Sequence, residues 1–252
     1  MKQPLLLSIL IFVIFLFSSC YRIILTSFGT LEKSVSVKKI SNTKKEVVFI
    51  PMHHIGKSEF YEDVKKVIDS LRREGYTLYY EAVKVNKEND SLQSDTLRRK
   101  MRQVVGADPF AAVANGGYLD TVNHTIFNKK LRIIKKEHLV NQRSRIKLGI
   151  DTLRDTWADV YLSDLIPAYE KKYGNIVLTD CDFNTNLSDK YSCQGNKNSE
   201  RKMYALAGYR NEMIVDKILK DANTKIAIVY GSKHYSGILA MLQQKDSTWK
   251  KY

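Results

Sequence analysis

The chain contains little glycine, proline or cysteine. Of its 252 residues, 12 are Gly, 4 are Pro and 3 are Cys. This shortage of turn-forming residues argues against a many-turned β-sandwich and favours longer helices. Beyond residue 25, no segment approaches the roughly 20 apolar residues that a membrane-spanning helix needs. With 44% hydrophobic and 27% charged residues, the composition excludes a disordered or collagen-like chain and allows a sizeable core.

The N-terminus has the layout of an export signal. Lys2 is followed by an almost unbroken apolar run over residues 5–17, and then by two serines and Cys20. The run is too short for a comfortable membrane span. It resembles a bacterial lipoprotein signal, which predicts that residues 1–19 are a removed signal peptide and that Cys20 becomes lipid-modified. An uncleaved anchor and a plain secretory signal are the alternatives. Residues 20–45 are then a tether.

Positive charge is in excess, because 41 Lys and Arg face 27 Asp and Glu, which gives a net charge of +14. For an exported protein held by lipid at the bacterial cell envelope, this favours anionic head groups or an anionic envelope polymer as partners, and not nucleic acid. The densest run, residues 129–147, contains eight basic residues and one acid, Glu137. It is either a solvated helix face or a dedicated binding patch.

Two further cysteines, Cys181 and Cys193, fit a disulfide bond. The export signal predicts an oxidising compartment for them, and the residues between them are polar and turn-rich. Their spacing fits neither a zinc site nor a redox motif.

Four short, apolar runs predict strands, at residues 46–50, 77–80, 175–179 and 225–230. Between the first two, a helix is predicted with Ser58 as its N-cap, Gly75 as its stop and one apolar face: Phe60, Val64, Val67, Ile68 and Leu71. Two strands joined through a helix form a βαβ unit with parallel strands.

The remaining chain is predicted to be mostly helical. Residues 88–172 lack period-two alternation and are interpreted as a helical insertion, and further helices are expected at 199–221 and 236–244. The fold prediction is therefore one α/β domain over residues 46–252, in which a central sheet built on parallel βαβ units has flanking helices and the insertion.

Ionisable residues follow the predicted strands. They are His53 and His54 after the first strand, Glu81 after the second, Asp180 and Asp182 after the third, and His234 after the fourth. Because ligands gather at the carboxyl ends of parallel strands, this edge is the candidate site. His54, Glu81 and His234 could hold a divalent Zn, Mn or Co ion. His53 is the weaker of the adjacent pair, and each of these side chains could also be a hydrogen-bonded loop residue.

Arg210 is predicted to lie on the buried face of its helix, four residues after Leu206 and four before Ile214. A buried charge needs a partner. It pairs with Glu81, Asp180 or Asp182, or stabilises an oxyanion, unless it reaches the surface.

The same residues resemble a known superfamily. Its pattern has two G-x-x-H motifs, a Glu ending the strand after the first motif, and an Arg-Asn pair on the helix before the second. Here Gly231 to His234 form the second motif, Glu81 is the acid, and Arg210 and Asn211 are the pair. The first motif is represented by His54, with Pro51 in place of glycine. The chain is similar in this way to the TraB/PrgY/TIKI (GumN-like) superfamily, which is related to erythromycin esterase and ChaN-like haem-binding lipoproteins.

The resemblance implies three functions. The leading one is a metal-dependent hydrolase of peptides or proteins, as in the TIKI branch, which is described as Mn- or Co-dependent. In it His54, His234 and a carboxylate hold the metal, Glu81 is a ligand or the general base, and Arg210 stabilises the oxyanion. The second is a metal-free hydrolase of the esterase kind. The third is a non-catalytic lipoprotein that binds a peptide or a small ligand such as haem in the same cleft.

Overall fold

The computed structural model describes residue 22 and residues 25–86, 90–114, 116–126, 129–130, 132–195 and 197–252. The predicted signal peptide and Cys20 lie outside the described residues. In the part of the chain that is described, no helix combines the length and apolar character needed to cross a membrane.

A six-stranded sheet forms the centre of the fold, in the order β11-β1-β2-β10-β4-β9. Its strands are β1 (Lys38–Ser41), β2 (Glu46–Met52), β4 (Thr77–Tyr80), β9 (Thr156–Trp157), β10 (Lys225–Gly231) and β11 (Lys250–Lys251). Strands β2, β10, β4 and β9 run parallel, while β1 pairs antiparallel with β2, and the edge strand β11 pairs antiparallel with β1. The predicted α/β class with a largely parallel sheet is therefore confirmed, and so are the strands expected at 46–50, 77–80 and 225–230.

Helices cover both faces of the sheet, because successive side chains of the parallel strands point to opposite faces. Helix α1 (Ser58–Arg73) packs on one face through Phe60 and Val64. The opposite face is covered by α8 (Tyr209–Lys220) and α9 (Tyr235–Lys245). Ser58 is the first residue of α1 rather than its N-cap.

One predicted strand is wrong. Residues 175–179 form an extended segment outside the sheet, and Val177 is 71% exposed. The segment is instead fastened by side chains, since Gln103 donates to the Val177 carbonyl and the Ile176 amide donates to Glu170. The place beside β4 is taken by the two-residue strand β9, which is too short to produce a recognisable apolar run.

The predicted tether and insertion also differ from the expectation. Residues 38–41 of the tether form β1 and pair with β2. The insertion is mixed rather than helical throughout, and Leu153, expected on a helix face, is 96% exposed. Its elements are α2 (Ser91–Val105), α3 (Pro109–Ala114), β5 (Leu119–Asp120), β6 (Thr125–Ile126), β7 (Lys129–Lys130), α4 (Arg132–Lys136), β8 (Leu139–Asn141), a 3₁₀ turn (Ile146–Leu148), β9 and α5 (Leu162–Tyr173). Strand β8 pairs with β3 (Ile55–Lys57).

The predicted disulfide Cys181–Cys193 is present. It closes a loop that begins with α6 (Asp180–Asn184). The loop is held to α2 by Arg102, a fully buried residue whose guanidinium donates to the carbonyls of Asp182, Thr185 and Asn186. The disulfide region therefore has its own structural role away from the sheet edge.

Candidate active site

The parallel strands deliver polar groups to their shared carboxyl edge. The amide of Glu81 donates to the Val229 carbonyl and so continues the ladder one residue beyond β4. At the end of β10, the Gly231 amide donates to Glu81 Oε2 at 2.5 Å. A quarter of the Glu81 side chain is exposed. The side chains of Arg210, Asp159 and His234 around it are nearly fully buried. Glu81 is therefore the point at which this network meets solvent.

Arg210 joins two carboxylates. Its Nε donates to Asp159 Oδ1 at 2.9 Å and its Nη2 donates to Asp159 Oδ2 at 2.8 Å. The same Nη2 donates to Glu81. The Arg210 side chain is 9% exposed and that of Asp159 is 0% exposed, so that this is a desolvated ion triad. Arg210 thus pairs with Glu81, one of its predicted partners, and with Asp159, which the sequence reasoning missed.

A turn of π-helix (Tyr204–Gly208) places Arg210 in the core. It lies between α7 (Ser199–Met203) and α8, which together form the helix expected at 199–221. The extra residue in a π turn shifts the helix face. As a result Leu206, expected on the buried face, is 38% exposed, while its carbonyl accepts from Arg210 Nη1 at 3.0 Å.

His234 lies beside the triad and is held from two sides. Its Nδ1 is 2.6 Å from Asn211 Oδ1, and its ring packs edge-on against Tyr230. Because the Asn211 oxygen can only accept, Nδ1 carries the proton and Nε2 keeps a free lone pair. Nε2 is 3.9 Å from Glu81 Oε1, a separation that one water molecule can bridge.

Burial and charge set the protonation states of these groups. Burial, with help from the Arg210 charge, lowers the pKa of His234 to about 4, although Glu81 opposes this. Burial acts to raise the pKa of Glu81, but Arg210, His234 and the Gly231 amide together lower it. Burial raises the pKa of Asp159 against the opposing effect of Arg210. At neutral pH the site therefore contains an ionised Glu81 and an uncharged His234.

Acid is expected to destabilise the protein through His234. In the unfolded chain this imidazole gains a proton near its usual pKa of 6.5, whereas in the folded protein the pKa is about 4. The unfolded state binds more protons between these values, so the free energy of unfolding falls as the pH is lowered through this window. The full effect is about 3 kcal/mol. Urea unfolding at neutral pH and near pH 4 measures it.

Two variants separate this effect from other titrating groups. His234→Gln removes the imidazole, so its stability should fall less on acidification than that of the wild type. His138→Gln, at an exposed histidine, should keep the wild-type acid dependence. An identical acid dependence in the wild type and His234→Gln would contradict the assignment.

Gly237 makes room for the Asn211 side chain. A Cβ at Gly237 would lie 2.3 Å from Asn211 Nδ2. A Gly→Ala change inside a helix normally stabilises by up to about 1 kcal/mol. Here Gly237→Ala is expected to destabilise by about 1–3 kcal/mol, because Asn211 must move and release His234. Urea unfolding tests this against Ser236→Ala, an exposed neighbour on the same helix. A stabilising Gly237→Ala would show that Asn211 is not confined there.

The two adjacent histidines lie in the opposite positions to those expected. His54 is exposed, packs against Tyr118 with ring centroids 4.9 Å apart, and does not join the His234 cluster. His53 is the one directed toward the end of β10, with Nδ1 3.5 Å from Ser232 Oγ and its ring against Phe60. Desolvation, reinforced by the neighbouring His54, lowers the pKa of His53.

The donors predicted for a metal do not converge. Within the described part of the chain, no group of three or more His, Cys, Asp or Glu side chains is arranged to hold a metal ion. One nitrogen of His234 is engaged by Asn211 and Glu81 is engaged by Arg210 and Gly231. His54, Glu81 and His234 therefore do not come together as one set of ligands in this arrangement.

Asp180 and Asp182 lie outside the site because the strand expected before them is absent. Asp180 is exposed at the start of α6. Asp182 is buried, and its side chain accepts from the Thr179 amide and hydroxyl and from the Tyr191 hydroxyl. The bond from the Thr179 amide is one half of a capping box, in which the Asp182 amide donates in turn to the Thr179 side chain. The bond from Tyr191 fastens the disulfide loop.

Two residues near the site were missed by sequence reasoning. Asp159 was interpreted as part of a helix, although an acid between Ala158 and Val160 in an apolar run was a signal for a buried carboxylate. Tyr118 comes from the loop before β5, and its pKa is raised by burial and then by the charges of Glu81 and Asp108. Its ring contacts His54, and it lies within range of the Glu81 charge. No periodic pattern in the sequence indicates this position.

Comparisons of the chain with models of known protein families, with curated proteins and with solved structures found no match.

Proposed function

We propose that the chain is an exported hydrolase of acyl bonds, in peptides or esters, held to the envelope by a lipid on Cys20. The observation that carries this proposal is the pairing of an uncharged, oriented His234 with an ionised Glu81 at the carboxyl edge of a parallel sheet. Sites at this edge are typical of open α/β folds. The disulfide fits an oxidising compartment, though weakly.

His234 is the proposed general base. Its free Nε2 and Glu81 Oε1 hold a water molecule between them, and Nε2 takes a proton from this water as its oxygen attacks the substrate carbonyl. Asn211 accepts from Nδ1 and so fixes the tautomer and stabilises the imidazolium that forms. The same imidazolium then returns the proton to the leaving group.

Arg210 acts through Glu81 in this scheme. Its Nη2 and Nε are occupied by Glu81 and Asp159, and the side chain is buried. It is therefore a positioning residue that keeps Glu81 ionised and fixed, and the oxyanion role predicted from the sequence is not part of the proposal. His53, Ser232 and Tyr118 border the same edge and would contact the substrate.

A screen of peptide and ester substrates tests the proposal. The full chain, purified in detergent and treated with chelator, is expected to turn over at least one acyl substrate. His234→Gln should abolish the turnover, while the control His138→Gln should retain it. Loss of turnover on chelation and recovery with Mn, Co or Zn would instead support the metal-dependent hydrolase. Saturable binding without turnover would support the binding lipoprotein.

The anchor is tested separately. Cells expressing the wild-type chain should incorporate labelled fatty acid into it, and Cys20→Ala should lose the label. Equal labelling of the two chains would overturn the lipoprotein assignment.

A further inference from the structure

A basic cleft lies in the insertion, outside the candidate active site. Its volume is about 530 Å³, and six basic residues line it: His124, Lys130, Arg132, Lys135, Lys136 and His138. They come from the turn before β6, from β7, and from α4 and the residues that follow it. These residues, all between positions 124 and 138, therefore surround one space, which is lined mainly by the apolar parts of their side chains.

The cations of this cleft lack carboxylate partners. Within the described residues, Lys130, Arg132, Lys135 and Lys136 form no ion pair, in contrast to many other basic residues of the chain. The acid between them in sequence, Glu137, is already engaged by Lys57 at 2.9 Å and by Arg22 at 3.1 Å. The positive charge of the cleft is therefore available to an anion from outside.

The backbone at both histidines is unusual. His124 has φ of 54° and His138 has φ of 50°, in the left-handed region that side-chain-bearing residues seldom adopt. Both histidines line the cleft. Two turns with an energetically unfavourable backbone conformation therefore border the same space.

The cleft lies beside the start of the described chain. Arg22 pairs with Glu137 at 3.1 Å. Leu25 and Leu31 pack against the buried cluster of Leu119, Ile134 and Leu139. Cys20 precedes Arg22 by two positions in the sequence, which separates them by at most about 7 Å, so a lipid on Cys20 would hold the cleft within the range of the surface potential of a membrane.

We propose that this cleft binds the phosphate-bearing head group of an anionic phospholipid. Four unpaired cations attract the phosphate, and the position of the cleft next to the proposed anchor favours a membrane lipid over a soluble phosphoanion. The proposal uses the lipid anchor of the proposed function but does not depend on hydrolysis. His234→Gln is therefore expected to bind the lipid as well as the wild type does.

Calorimetric titration of the full chain in a neutral detergent tests the site. The probes are dihexanoyl phosphatidylglycerol, dihexanoyl phosphatidylcholine and inorganic phosphate. The wild type is expected to prefer the glycerol lipid over both other probes. The variant Lys130→Gln/Lys135→Gln/Lys136→Gln, with all changes at exposed positions, should lose at least about tenfold in affinity.

A charge-matched control separates the cleft from general basicity. Lys245→Gln/Lys250→Gln/Lys251→Gln removes the same charge, and Lys250 and Lys251 lie on the edge strand β11, level with the first residues of β2. This control should bind as the wild type does. Equal losses in the two variants, or equal binding of the choline lipid, would overturn the site. Equal affinity for inorganic phosphate would overturn the lipid assignment in favour of soluble phosphoanions.

Discussion

Replacement of Arg210 by methionine is expected to lower the free energy of unfolding by about 3–5 kcal/mol. The change leaves Glu81 and the fully buried Asp159 without the cation that compensates both of them. Two carboxylates then face each other in a desolvated space, and at least one must take up a proton. The midpoint of urea unfolding, followed by circular dichroism, measures the loss.

Two further variants show whether the loss comes from uncompensated charge. Arg210→Met/Asp159→Asn removes one of the stranded carboxylates and should recover part of the stability. Lys65→Met breaks the exposed pair with Asp69 at 2.6 Å and should cost less than about 1 kcal/mol. If Arg210→Met costs no more than Lys65→Met, the triad does not hold the site together.

Replacement of Glu81 by glutamine is expected to reduce kcat on an acyl substrate by about 100-fold or more. Glutamine keeps the size of the side chain and one of its two acceptor oxygens, so it can still accept from the Gly231 amide or from Arg210 but not from both. What is lost is the negative charge that raises the basicity of His234 and would orient the water. Steady-state kinetics on the best substrate from the screen measure the change.

Glu74→Gln serves as the matched control, because Glu74 is exposed at the end of α1. It should leave kcat unchanged. An unchanged kcat in Glu81→Gln would mean that Glu81 only balances the Arg210 charge, and would remove it from the mechanism.

The parallel core of the fold was predictable because its strands are buried on both faces. Continuous apolar runs such as 46–50 and 225–230 are typical of buried parallel strands when a helix pattern lies between them in the sequence. The run at 175–179 has the same composition but lies beside α2 and α5 rather than in the sheet. Local composition did not distinguish the two, because tertiary packing decided which run pairs.

The candidate site was predictable only where a residue directly follows a strand. Glu81 and His234 were placed together by the strand ends, and Arg210 by its helix face. Asp159 and Tyr118 come from the insertion, whose short elements leave no periodic pattern. His53 and His54 were exchanged because the turn after β2 leads into β3, and its direction depends on pairing with β8.

The central claim is that His234 is neutral, carries its proton on Nδ1 and presents Nε2 to Glu81. A nitrogen NMR titration of histidine-labelled protein, with His234→Gln to assign the signal, tests it most directly. The account predicts a proton on Nδ1 across neutral pH and a pKa of about 4. A proton on Nε2, or a pKa close to the ordinary 6.5, would contradict it.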